Sequence, residues 1–281
     1  MGRAAPGLGA TTRRRERDGL PVDASIELAS LERFFSSVVL TLPRLFAIFA
    51  VVPFLSGGML TGTVRNGLLL MLALFMSPVA GDMPVASIGT WVLIAGKEAF
   101  IGLLLGLGFG IFIWAVQSVG DLIDFQTGSS NASFFDPVAG HENGPTGEFL
   151  GWMVITLFVS AGGLLAMLGV VVDSYRLWPV ASFFPNLGLV IEQFAIRQGD
   201  TLFLWIVKLA SPVIFVLLLV ELGVGLVSRV APQLNVFVFS QPLKSLLAHL
   251  MMLLFVFFVY ESLQEFLRPE NGVLDFLRAT L

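Results

Sequence analysis

Six apolar runs divide this chain, at about 34–55, 66–79, 91–116, 149–172, 202–227 and 245–263, each read as a helix that can cross a membrane. The second run is short and closes at Ser77-Pro78, which predicts a half-span or a re-entrant element. Gly57-Gly58, Gly81-Asp82, Pro84 and Gly188 punctuate the connections. Two Pro-bearing breaks, Ala231-Pro232-Gln233 and Ser240-Gln241-Pro242, predict a bend between the last two runs. No solenoid period is visible. The pattern predicts an all-α, multi-span integral membrane protein. It divides into a basic tail over 1–24, a helical domain over 25–264 and a C-terminal tail over 265–281.

Composition agrees with the pattern. Of 281 residues, 56% are hydrophobic and 13% charged. A soluble domain carries about 25% charged residues. The net charge of −4 points to no polyanionic partner, and so to no nucleic acid. The absence of cysteine removes disulfides, thiolate nucleophiles and Cys-based metal sites. Arg13, Arg14, Arg15 and Arg17 cluster in the tail with no apolar stretch directly after them. That reads as a disordered basic tail rather than a cleaved signal, with attraction to anionic headgroups as the alternative. Six spans put both termini on one side, together with Arg176, Arg197, Arg268 and Arg278. The basic excess predicts that this side is the cytoplasm.

Arg44, Lys97, Glu98, Lys208 and Glu221 fall inside or near the ends of apolar runs. Each costs about 2.5–3.5 kcal/mol at the centre of a lipid-facing helix. Arg44 and Lys208 can snorkel toward the headgroups. Glu98 and Glu221 cannot reach as far, so they are expected to face protein. Arg229 and Lys244, in the bend region, join Lys97, Glu98, Lys208 and Glu221 as candidate buried or interface charges. Neighbours in sequence leave a helix in different directions, so Lys97 and Glu98 are each expected to need a separate partner. Gly102, Gly106 and Gly110 recur every fourth residue and form a stripe against which another helix backbone can pack.

The 117–148 connection is too long for a turn and too polar for a span. Its centre, 127–133, is rich in turn formers and is followed by Phe134-Phe135-Asp136-Pro137. It is either an outer loop or a loop folded back into a pore. Candidate chemistry is sparse. The HExxH, GxSxG and Walker A patterns are missing, and the two histidines are His141 and His249. His249, in an apolar run, reads as a hydrogen-bonded interior residue. No catalytic, cofactor or metal constellation is expected, so an enzyme is not.

Two blocks carry a resemblance. ELGVGLVSRVAPQLNVFVFSQPLK spans 221–244, and FQTGSSNASFFDPVAG spans 125–140, ahead of the apolar run 151–172. With this order and spacing, from about 34 to the C-terminus, the chain resembles the T subunit of the type III secretion export apparatus. That is the SctT family, whose flagellar counterpart is FliR. The resemblance implies a structural subunit of the inner-membrane export gate, which helps form and close a channel for unfolded secreted proteins. It implies a four-helix P-like part followed by a two-helix Q-like hairpin. The implied partners are P-like (SctR/FliP-type) and Q-like (SctS/FliQ-type) subunits, the switch subunit (SctU/FlhB-type) and membrane lipid. It also implies a channel plug made of Gln126, Thr127, Gly128, Ser129, Ser130, Asn131, Ala132, Ser133, Phe134, Phe135, Asp136 and Pro137. A second reading stays open, a small-solute secondary transporter in which Glu98 and Glu221 couple protons. The absence of a clear inverted repeat weighs against it.

Overall fold

The computed structural model describes residues 22–56, 60–80, 87–129, 144–180, 187–231, 233 and 236–268. Among them lie seven helices and no strand. They are α1 (Val22–Val51), α2 (Gly62–Ala80), α3 (Ile88–Thr127), α4 (Pro145–Ser160), α5 (Gly163–Leu177), α6 (Leu187–Val230) and α7 (Val236–Phe266). The class expected from the apolar runs is therefore the one observed. Five helices are long and apolar enough to cross a membrane, or six with α4 and α5 taken as one broken span.

The organising element is α3. At 40 residues it runs about 60 Å, and it packs against α1, α4, α6 and α7. Ser87 starts it by accepting a hydrogen bond from the Thr90 amide. Gly128 ends it in the left-handed region at φ 74°, where a glycine carries no Cβ penalty. Leu105, Phe112, Val116 and Val119 of α3 are fully enclosed, with Leu45 and Ile48 of α1 and Leu150, Val154 and Phe158 of α4. The hairpin of α6 and α7 joins this block along α3. Phe112 stacks on Phe266 with ring centroids 5.0 Å apart and meets Trp205 edge-on at 5.2 Å.

Three expectations are corrected. The second run is no half-span: α2 is one continuous helix, and its window Gly62–Val79 qualifies as a span. Pro78 sits near its C-terminal end and cannot donate to the Leu74 carbonyl, which accepts from Ser77 Oγ at 3.0 Å instead. The broken element is instead the fourth run. It turns by 69° between α4 and α5, at Gly162 with φ 82°. A hydropathy reading sees Ser160-Ala161-Gly162-Gly163 as apolar, whereas the backbone sees a helix stop. Finally, Pro242 does not break the chain but lies inside α7, and Pro232 falls outside the described residues. A long packed helix tolerates such a proline.

Candidate functional site: a buried charge cluster and the frame of a loop

Five of the expected charged positions fall into two groups. In the first, Arg44 of α1 and Glu98 of α3 are both 0% exposed and pair through Arg44 Nε and Glu98 Oε2 at 2.7 Å. Arg44 Nη1 donates to Ser174 Oγ at 2.9 Å, and Nη2 donates to the Trp178 carbonyl at 3.0 Å. The guanidinium also lies 3.9 Å from the centre of the Tyr175 ring. Lys97 Nζ reaches Glu98 Oε1 at 2.9 Å and donates to the carbonyls of Pro179 and Val180. Two cations thus hold one carboxylate and three successive carbonyls just past α5. Helix C-termini carry partial negative charge, so cations fit there. The cluster ties α1, α3 and the end of the broken helix together.

This geometry departs from the sequence reading in two ways. Arg44 does not snorkel to an interface but is sealed inside the chain. Lys97 and Glu98 touch each other despite leaving α3 in different directions, because the lysine stem is long enough to fold back.

In the second group, Lys244 of α7 is buried and its Nζ lies 3.3 Å from Glu221 Oε2 of α6. Glu221, Lys208 and Arg229 are exposed in the chain, so they are not buried within it, and the interface half of the expectation is what stays open to them. The hairpin is one layer thick, so only the face turned to α3 or to its own partner helix is covered. Lys208 pairs with Glu265 at 2.6 Å and lies over the Trp205 ring. His249 is corrected as well: it sits on an exposed face and contacts the Ser245 carbonyl of its own helix at 2.7 Å.

Gly102 and Gly106 lie where α1 crosses α3. A Cβ on Gly102 would overlap the Arg44 carbonyl oxygen, and one on Gly106 would stand 3.3 Å from Ile48 Cα. A Cβ on Gly110 would instead meet Trp114 of the same helix at 3.2 Å.

The segment expected to form a plug starts inside α3. Gln126 and Thr127 form the last turn of α3, with Thr127 Oγ1 bonded to the Ile123 carbonyl. The helical pattern continues through Val119, Ile123 and Thr127 on the buried face, a signal that the polar residues between them hide. Gly128 caps the helix, and Ser129 Oγ lies 3.0 Å from Thr127 Oγ1. Ser130, Asn131, Ala132, Ser133, Phe134, Phe135, Asp136 and Pro137 fall outside the described residues, as does His141. The loop's frame is described. Asp124 of α3, 1% exposed, accepts hydrogen bonds at Oδ2 from the Thr146 and Gly147 amides that open α4. Asp121 and Asp124 are the site residues that sequence reasoning passed over. Their signal was a pair of carboxylates, spaced to share one helix face, inside a stretch read as loop. Among the described residues no group of three potential metal ligands occurs.

Residues 35–269 match the family model described as "Bacterial export proteins, family 1". The chain belongs to this family. Over 228 residues it is 37% identical to Yop proteins translocation protein T of Yersinia pestis, covering 80% of this chain and 87% of that protein. It is 33% identical to the surface presentation of antigens protein SpaR of Salmonella typhimurium, covering 80% and 84%. It is 32% identical to the flagellar biosynthetic protein FliR of Bacillus subtilis, covering 80% and 87%. The SctT/FliR family resemblance drawn from the two sequence blocks is thereby shown. Members belong to the type III secretion and flagellar export apparatus, so this family member has a place there alongside other subunits. Its apolar helices make it a multi-pass membrane protein.

Proposed function

We propose that this chain is a non-enzymatic structural subunit of the type III export gate. In this reading it helps form and close the channel through which unfolded proteins cross the bacterial inner membrane. The observation that carries the proposal is the division of a family member into two parts. A compact block of α1–α5 is built around α3, and a long hairpin of α6 and α7 is attached to it by one side. The hairpin's outer surface is strongly apolar, with Phe203, Leu204, Leu222, Leu246, Leu253 and Phe257 all exposed. Such a surface needs cover, from lipid or from protein neighbours. The proposed neighbours are the P-like (SctR/FliP-type) and Q-like (SctS/FliQ-type) subunits, with the switch subunit (SctU/FlhB-type) beside them. α1–α5 take the P-like part and α6–α7 the Q-like one.

Both termini are assigned to the cytoplasm, from the basic residues that flank the spans. The higher identity to the Yop translocation protein (37%) than to FliR (32%) supports a secretion system rather than a flagellum. The transporter reading gives way to family membership, and Glu98 occupies an ion-pair cluster.

The resting obstruction is assigned to 128–137. Deleting 128–133 is expected to leave the complex assembled while making membranes leaky to ions. Cysteines at Ser130 and Phe134, in a chain with none of its own, are expected to resist bulky external reagents until a substrate is trapped in transit. Free labelling at rest, together with a tight deletion variant, would remove the plug assignment.

A further inference from the structure

The start of α4 is held by a distant helix. The first amides of a helix lack acceptors within it, and a side chain close in sequence commonly supplies one. Ser87 does so for α3. α4 starts instead at Gly144, which offers no side chain, and its acceptor is Asp124, 22 residues before Thr146. The bonds are 2.8 Å from the Thr146 amide and 3.2 Å from the Gly147 amide. A buried carboxylate needs such compensation, and the positive end of a helix provides it.

The surrounding shape is fitted to this contact. A Cβ on Gly144 would overlap the Asp124 carboxylate, and one on Gly147 would overlap that of Asp121. A Cβ on Gly120 would stand 2.7 Å from the Gly147 nitrogen. Three glycines therefore clear the space into which two carboxylates and a helix end are brought. At the other end of the connection, Gly128 turns with φ 74° directly against α7. A Cβ there would stand 2.8 Å from Gln241 Oε1.

We infer that Asp124 is a positioning residue of the gate. It fixes where α4 starts, and so where the 129–143 connection ends. The consequence for leakage rests on the plug assignment above, whereas the docking of α4 by Asp124 stands on its own geometry. Asp124 is not a ligand for anything that moves through the channel. It acts by setting the helix end at which the connection closes.

The test uses the full chain assembled in its apparatus, with spin labels on Leu122→Cys and Phe149→Cys, both exposed in the chain. The parent is expected to give one narrow distance population. Asp124→Ala is expected to shift the docked-to-undocked ratio about tenfold, the scale of losing a hydrogen bond to a charged group. A second, longer distance then grows, and resting ion leak rises at unchanged complex yield. Asp124→Asn keeps an acceptor oxygen without the charge and is expected to fall between parent and Asp124→Ala. Parent-like distances in Asp124→Ala would overturn the Asp124 assignment, even where deletion of 128–133 leaks and the plug stands. Broadened distances with a tight deletion variant would sink the plug reading and leave the docking role of Asp124 in place. Where Asp124→Ala does not assemble, Asp124→Asn decides, and its identity with the parent overturns the inference.

Discussion

Arg44 is the side chain whose surroundings explain most. Each of its three nitrogens has a partner, and those partners come from α3, α5 and the segment after α5. A buried pair of this kind adds little net stability relative to a well-packed apolar pair, but breaking one member costs about 3–5 kcal/mol. Glu98→Gln leaves Arg44 and Lys97 facing a neutral amide. It is expected to cut the yield and thermal stability of the extracted complex sharply. Whatever complex does assemble should export at the parent's rate, measured per assembled particle under an energised membrane. Normal assembly with selective loss of proton-driven export would instead make Glu98 a relay. The sequence announced that these charges lie within apolar runs. It could not announce their partners, because Ser174 and the carbonyls at 178–180 lie more than 70 residues downstream of Glu98 with no local pattern linking them.

Elements pack here through missing side chains. α1 approaches α3 so closely at Gly102 that the smallest addition collides with backbone. Gly96, on the same helix, has open space around the same position. Gly102→Ala is therefore expected to destabilise the chain, while Gly96→Ala is expected to be neutral or to stabilise by about 0.5–1 kcal/mol through helix propensity. Thermal unfolding in detergent, compared between the two variants, checks this, and equal effects would remove the close-packing argument. The spacing of Gly102 and Gly106 could be read as one helix face, because a four-residue repeat marks one, whereas Gly110 meets Trp114 of its own helix. The partner of that face could not be read, since the same stripe serves equally well within a chain or between chains. The six apolar runs were legible for a similar reason. What escaped was where helices continue through polar residues, as α3 does to Thr127 and α6 does back to Leu187. Hydropathy reports burial in lipid, whereas helix continuity is a property of the backbone. The turn at Gly162 escaped for the converse reason, being apolar and yet a stop.

The whole molecule presents more apolar surface than a chain alone keeps. Met71 and Phe75 of α2 and Leu253 and Phe257 of α7 are exposed, as is much of α6 between them in sequence. Lipid can cover some of this surface. The prediction at this scale is that the chain expressed alone aggregates or spreads on size exclusion, while co-expression with P-like and Q-like subunits gives one sharp species. Equal monodispersity alone and together would argue for lipid as the sole cover. The lengths of the helices sharpen the choice. A bilayer's hydrocarbon is about 30 Å thick, so fitting the 40 residues of α3 within it would take a tilt of about 60°, beyond the usual 0–40° range. α6, at 44 residues, fits no better. Neither helix can be matched to the thickness of any ordinary membrane. The apolar window of α3 is mostly sheathed by its own chain, whereas that of α6, within Gly199–Val230, is only 22% buried. The depth at which this protein rides is then set less by lipid than by whatever protein wraps the bare part of α6, and changing acyl-chain length should move it little.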